Sequence, residues 1–147
     1  MRYVDFANII TTHIMGRYLT ACAGDSRKAM TLYRKNLLLS QELFTIIGCF
    51  EIALRNAINE HYLSTLGNDW LQSASARGGI FNNHNSRLTK NAIDDAINKL
   101  GQNYNHSKLV AELGFGFWRY MFAPHQFAGA GRTLLRIFPS KPTSTPA

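Results

Sequence analysis

The sequence predicts an all-α protein, a helical bundle of about five helices around one long central helix. Three observations carry this. Apolar residues recur at three- and four-residue spacings along the chain, and strand-type alternation is nearly absent. The third is the segment Arg27 to Leu66, which has no proline and a single glycine, Gly48. The chain has 147 residues, of which 46% are apolar and 17% charged, so wholesale disorder is excluded. The expected organisation is one helical domain over residues 1–138 and a proline-rich tail over residues 139–147.

The elements follow from local signals. A first helix is expected from Val4 to Leu19, ended by Ala23-Gly24-Asp25. Asp25 or Ser26 then caps the next helix by accepting a free backbone N–H. That helix runs from Arg27 to Leu66, about 60 Å if unbroken, with a bend expected at Gly48 and a left-handed stop at Gly67. Its stretch Leu43 to Leu54, LFTIIGCFEIAL, is apolar nearly all round. Such a stretch belongs in the middle of a bundle or is shared between two subunits. Trp70 and Leu71 form a short turn that packs back. Ser73 to Asn85 reads as a loop, mobile or functional at thirteen residues. Ser86 caps a third helix, whose stripe includes Leu88, Ile93, Ile97 and Leu100 and which Gly101 ends. Ser107 caps a fourth over Lys108 to Phe122, stopped by Pro124, and a last helix covers Gln126 to Phe138. The tail PSKPTSTPA has three prolines in nine residues and reads as a linker, so a fragment or truncated product is expected.

Composition removes several classes. Cys22 and Cys49 are too few for a disulfide framework and lie in no metal-spaced pair, so cytoplasmic thiols are expected. The longest run without Asp, Glu, Lys or Arg is Tyr120 to Gly131, twelve residues. A membrane span needs about 20 apolar residues, so none is expected, and the N-terminus lacks the pattern of a signal peptide. The net charge is +7. Leu113 to Ala147 holds Arg119, Arg132, Arg136 and Lys141 and no acid. Excess positive charge fits a polyanion partner, and equally it fits a protein merely kept soluble.

Among motifs, HExxH, the EF-hand loop, GxSxG and the P-loop are absent. His13, His61, His84, His106 and His125 include no pair at i, i+3 or i+4, so neither a metal nor another cofactor is expected. Glu51, Arg55, Asn56, Asn59, Glu60 and His61 make the most polar part of the long helix. Glu51 and Arg55 share a face, as do Arg55 and Asn59. One reading is a Glu51–Arg55 pair that ties the bundle together. The other is catalytic: a histidine moves the proton of a ribose 2′-hydroxyl or of the leaving oxygen, and an arginine holds the charge on the phosphorus oxygens. Arg55 and His61 diverge by about 120° on a regular helix. Pairing them therefore requires a helix distortion or two juxtaposed subunits.

The run LYRKNLLLSQELFTIIGCFEIALRNAI (Leu32 to Ile58), followed by Trp70 and by KLVAELGFGFWRYMF (Lys108 to Phe122), resembles the Abi-like, or abortive-infection, proteins of bacteria. These belong to the HEPN superfamily of all-helical domains, and the resemblance covers roughly Ala29 to Phe138. It implies a phage-defence or toxin-like role, and an HEPN-like fold. Many HEPN domains are metal-independent endoribonucleases that work as dimers and carry an arginine, a polar residue and, after three to five intervening residues, a histidine. Arg55, Asn56 and His61 match that pattern, with Glu51 and Asn59 in support and Arg119, Arg132 and Arg136 as RNA contacts. The family's clearest such motif, RNRxAHHE, lies beyond the proline-rich segment in which this sequence ends. The implied partners are RNA, a second copy of the chain, and an antitoxin or phage-derived protein, in the cytoplasm and away from membranes. The alternative is a non-catalytic helical module that binds RNA or a protein.

In GFGFWRYMF, Phe115, Phe117, Trp118, Tyr120, Met121 and Phe122 crowd one helix beside Arg119. The expectation is core, with Gly114 and Gly116 allowing close helix approach. Base stacking is the alternative.

Overall fold

A computed structural model describes residues 2–140. Among them all regular structure is helical, with eight α-helices and no strand. In chain order these are α1 (Tyr3–Ile10), α2 (Thr12–Ala21), α3 (Ser26–Leu66), α4 (Trp70–Ser75), α5 (Arg87–Leu100), α6 (His106–Glu112), α7 (Phe115–Tyr120) and α8 (Pro124–Gly129). Short 3-10 turns cover His84–Ser86, Gly101–Asn103 and Leu134–Ile137. The all-α class and the long helix are as the sequence predicts. Most of the proline-rich tail, residues 141–147, lies outside the described residues.

The extra helices come from local breaks. The helix expected over Val4 to Leu19 divides at Thr11, whose φ is 93° and whose hydroxyl accepts the N–H of Ile14. Two consecutive threonines are poor helix formers, and their hydroxyls compete for backbone groups. The helix expected over Lys108 to Phe122 divides at Leu113 and Gly114. There the Leu113 carbonyl accepts the Trp118 indole N–H at 2.8 Å while Gly114 is extended. Asn105, not Ser107, caps α6 by accepting the Lys108 N–H. The last expected helix stops at Gly129, because Gly131 and Arg132 take φ of 87° and 60° before the Leu134 turn. Of the two expected caps, Asp25 serves α3, accepting the N–H groups of Arg27 and Lys28 at 3.0 Å each. Gly67 and Gly101 end α3 and α5 with positive φ. No break interrupts α3 at Gly48.

By packing, the chain divides into two compact units, one up to Cys49 and one from Phe50 onward, and α3 contributes to both. In the first unit Ala7, Met15 and Ala29 are buried among Phe6, Ile10, Tyr18, Leu19 and Tyr33. The Phe6 and Tyr18 rings both meet Tyr33 edge-on. In the second unit Ile58, Tyr62, Trp70, Phe81, Trp118 and Met121 anchor the core. Gln126 is fully buried there, donating to Thr89 Oγ1 and accepting from Ser86. The loop after α4 is tied down rather than loose. Phe81 is fully buried, and its N–H donates to the Ala74 carbonyl. Gly79 lies so close that a Cβ there would stand 2.3 Å from the Ser73 carbonyl oxygen.

Two expectations about packing change. Of the two alternatives for the middle of α3, enclosure within the chain's own bundle does not hold: Leu43, Phe44, Ile46 and Phe50 are 49%, 74%, 63% and 50% exposed. Only Leu54, at the end of the expected stretch, is buried. By length and composition α3 is also apolar enough to cross a membrane, with an 18-residue window of mean hydropathy 1.7. The longest charge-free run misses this because Glu42 and Glu51 interrupt the helix without making it polar. The aromatic segment after Gly114 is core, with Trp118 and Met121 buried and Phe115, Phe117 and Phe122 half-buried. Its glycines do not serve close approach, since a Cβ at Gly114 or Gly116 would meet nothing within 4 Å.

Candidate functional site

The polar residues at the C-terminal end of α3 belong to the second unit. Because α3 is an unbroken helix to Leu66, each residue turns by about 100° from the last. Arg55 and Asn59 therefore stay on one side, about 40° apart, and His61 stands about 120° from Arg55. The structure brings together Arg55 and Asn59, and separates both from His61.

Arg55 is half-buried, and its Nε is shielded from solvent without a hydrogen-bond partner. Among the described residues no ion pair joins it to Glu51, although the two are one turn apart. The tying pair that the sequence allowed is not formed. Asn56 is exposed on the next face.

Asn59 is the organising residue of its side of the helix. Its Oδ1 accepts the Trp70 indole N–H at 3.0 Å and meets His106 Nε2 at 2.7 Å. An indole nitrogen only donates, so this atom is the amide oxygen, and His106 Nε2 must donate to it. A neutral His106 thus carries its proton on Nε2 and leaves a lone pair on Nδ1. That Nδ1 is buried, unpaired, and 3.7 Å from an Asp69 carboxylate oxygen. The same Asp69 oxygen accepts the Tyr104 hydroxyl at 3.1 Å. Burial holds the His106 pKa below its ordinary value, and Asp69 opposes this only in part. Burial first, then Asp69, pushes Tyr104 up to about 12.

His61 has other surroundings. Its Nε2 lies 2.9 Å from Thr133 Oγ1, and its ring meets Tyr62 edge-on. Burial, and behind it the positive charge of Arg136, holds its pKa below the ordinary value. Arg136 therefore lies close enough to His61 for its charge to act on the ring. Arg119 and Arg132 are exposed.

Sequence reasoning missed His106, Asp69 and Tyr104. His106 is 47 residues from Asn59, and no spacing rule links them. The one usable signal was Asn105, which caps α6 and so sets His106 at the helix start. Among the described residues no group of three or more His, Cys, Asp or Glu side chains is placed to hold a metal. Comparison with family models, with curated proteins and with solved structures yields no match.

Proposed function

We propose that this chain is a phage-defence or toxin-like protein of the Abi-like, HEPN type that acts on RNA without a metal, as an endoribonuclease with Arg55 on the phosphate. The observation that carries the reading is the unpaired guanidinium. Among the described residues neither Glu51 nor another acid pairs with Arg55, and a charge so placed favours an anionic ligand. Asn56 and Asn59 flank it, and His61 with Arg136 supplies a histidine beside a cation. Since Arg55 and His61 diverge on one regular helix, a site that uses both draws them from two copies of the chain.

A homodimer is part of the same proposal. Leu39, Leu43, Ile46 and Phe50 follow a four-three-four spacing and are all about half exposed or more. That spacing is the seam of a helix pair. A bilayer would have to take Glu42 and Glu51 with the same helix, at a cost of a few kcal/mol for each buried charge. A second copy can leave both at the edge of the seam, and the protein is then cytoplasmic. An antitoxin or phage-derived protein would engage this dimer as a further partner.

A non-catalytic RNA-binding or protein-interaction module is the second reading, and the divergence of Arg55 from His61 favours it. The test is a thermal melt beside an RNA cleavage assay. Arg55→Ala should melt close to wild type, well short of the roughly 3–5 kcal/mol lost when a buried pair is broken. RNA cleavage should fall at least ten-fold, about 1.4 kcal/mol. Intact protein that binds RNA and never cuts it would select the second reading, and wild-type cleavage by a folded Arg55→Ala protein would remove Arg55 from the site.

A further inference from the structure

The first unit carries a concave cationic surface that the site around Arg55 does not use. Arg27, Lys28, Thr31 and Lys35, with Cys22 and Leu32, line a cavity of about 340 Å³. Arg27, Thr31 and Lys35 fall four residues apart and so lie along one stripe of α3. Lys28 is 3.6 Å from Asp25, while Arg27 and Lys35 have no acidic partner among the described residues. The Asp25 carboxylate is itself committed to the backbone N–H groups of Arg27 and Lys28. These interactions, with the Lys28 charge, hold its pKa low.

The placement of these cations runs against helix stability. The first turn of α3 contains no acid, and Arg27 and Lys28 stand there, at the positive end of the helix dipole. Cations are unfavourable at that end. The Asp25 carboxylate offsets this at the cap and beside Lys28, and an anion brought to this surface would do the same for Arg27 and Lys35.

A second groove shares Leu32 with the first. Ile14, Arg17, Tyr18, Ala21 and Leu32 line about 370 Å³. The two hollows thus adjoin at Leu32, the first lined by three cations and the second by apolar residues, Tyr18 and one arginine. Single-stranded nucleic acid presents that alternation, charged phosphates beside flat bases, and is bound by cations that follow the backbone with aromatic residues against the bases.

We infer that the first unit is a binding site for single-stranded RNA, with phosphates at Arg27 and Lys35 and a base in the groove of Tyr18 and Leu32. The inference rests on the reading that the chain acts on RNA, and gives the RNA a second hold away from Arg55. An acidic lipid surface fits the charge alone. It does not account for a hollow lined by cations beside an aromatic groove, since a bilayer presents a flat face.

The experiment uses the full chain and a fluorescein-labelled 20-nucleotide single-stranded RNA, followed by anisotropy across a salt series. Portions of the same samples are run on a gel for cleavage. Arg27→Ala/Lys35→Ala should bind about ten-fold more weakly near 0.1 M salt. Its plot of log affinity against log salt should flatten by about 1.4, since each phosphate contact to a single strand contributes about 0.7. Arg77→Ala/Arg87→Ala, which removes two exposed cations of the second unit, should change the slope far less. Both side-chain pairs are exposed, and circular dichroism checks that each variant keeps its helix; Arg27→Gln/Lys35→Gln replaces the alanine variant if it does not. Unchanged affinity and slope in the Arg27/Lys35 variant would overturn the inference, as would equal losses in both double variants. No RNA binding by the wild type, with capture instead by phosphatidylcholine vesicles containing phosphatidylglycerol, would overturn it too. Absence of cleavage with the binding pattern intact would refute the nuclease reading and leave this site standing.

Discussion

Asn59 holds two donors with one oxygen, the indole of fully buried Trp70 and the ring of His106. Asn59→Ala should therefore destabilise the second unit by roughly 1–3 kcal/mol for each donor left unpaired. Urea denaturation measures this, and a loss below that range would mean that water replaces the amide. Acid should act through the histidines. Burial lowers the pKa of both His61 and His106 below 6.5. The unfolded chain then binds more protons than the folded one between the folded pKa values and 6.5. Stability should accordingly be complete above pH 6.5 and decline as the pH falls through the folded values. Melts at pH 7.5 and 5.5 check the sign, and His106→Gln should flatten the difference. Equal stability at the two pH values would show that neither ring is held neutral by the fold.

Helix α3 tests the balance between local propensity and continuity. Gly48 lies inside the unbroken helix, and a Cβ added there meets nothing within 4 Å. Gly48→Ala should stabilise the protein by about 0.5–1 kcal/mol, the difference between the two residues in a helix interior. A lower melting temperature would indicate that the helix bends at Gly48 in solution. The opposite case is the segment from Lys108 to Phe122, where apolar spacing alone reads as one helix. The Trp118 indole takes the Leu113 carbonyl, and a side-chain hydrogen bond of that kind is invisible to periodicity.

For the whole molecule, the uncovered middle of α3 makes association the property to test. Leu38, Phe44 and Ile46 are each more than 60% exposed, beyond what a lone soluble helix needs to show water. Light scattering at tens of micromolar should find a dimer, and Leu43→Glu or Ile46→Glu, both on the proposed seam, should shift it at least ten-fold toward monomer, a change of about 1.4 kcal/mol. A strict monomer in the wild type would refute the proposed seam.

What the sequence determined is local. The all-α class, a cap at Asp25 or Ser26 and the stops at Gly67 and Gly101 depend on a few neighbouring residues, whose backbone preferences and side-chain oxygens act within one turn. It also placed Arg55 and Asn59 on one helix face, because helical geometry alone sets that angle. Only the tertiary structure decided that Glu51 leaves Arg55 unpaired and that Asn59 takes its donors from Trp70 and His106. It also decided that His61 turns to Thr133, and that Leu43 to Phe50 stay uncovered. These depend on which distant segments arrive at each face. Loops and helix breaks govern that arrival, and no periodicity along the chain encodes it.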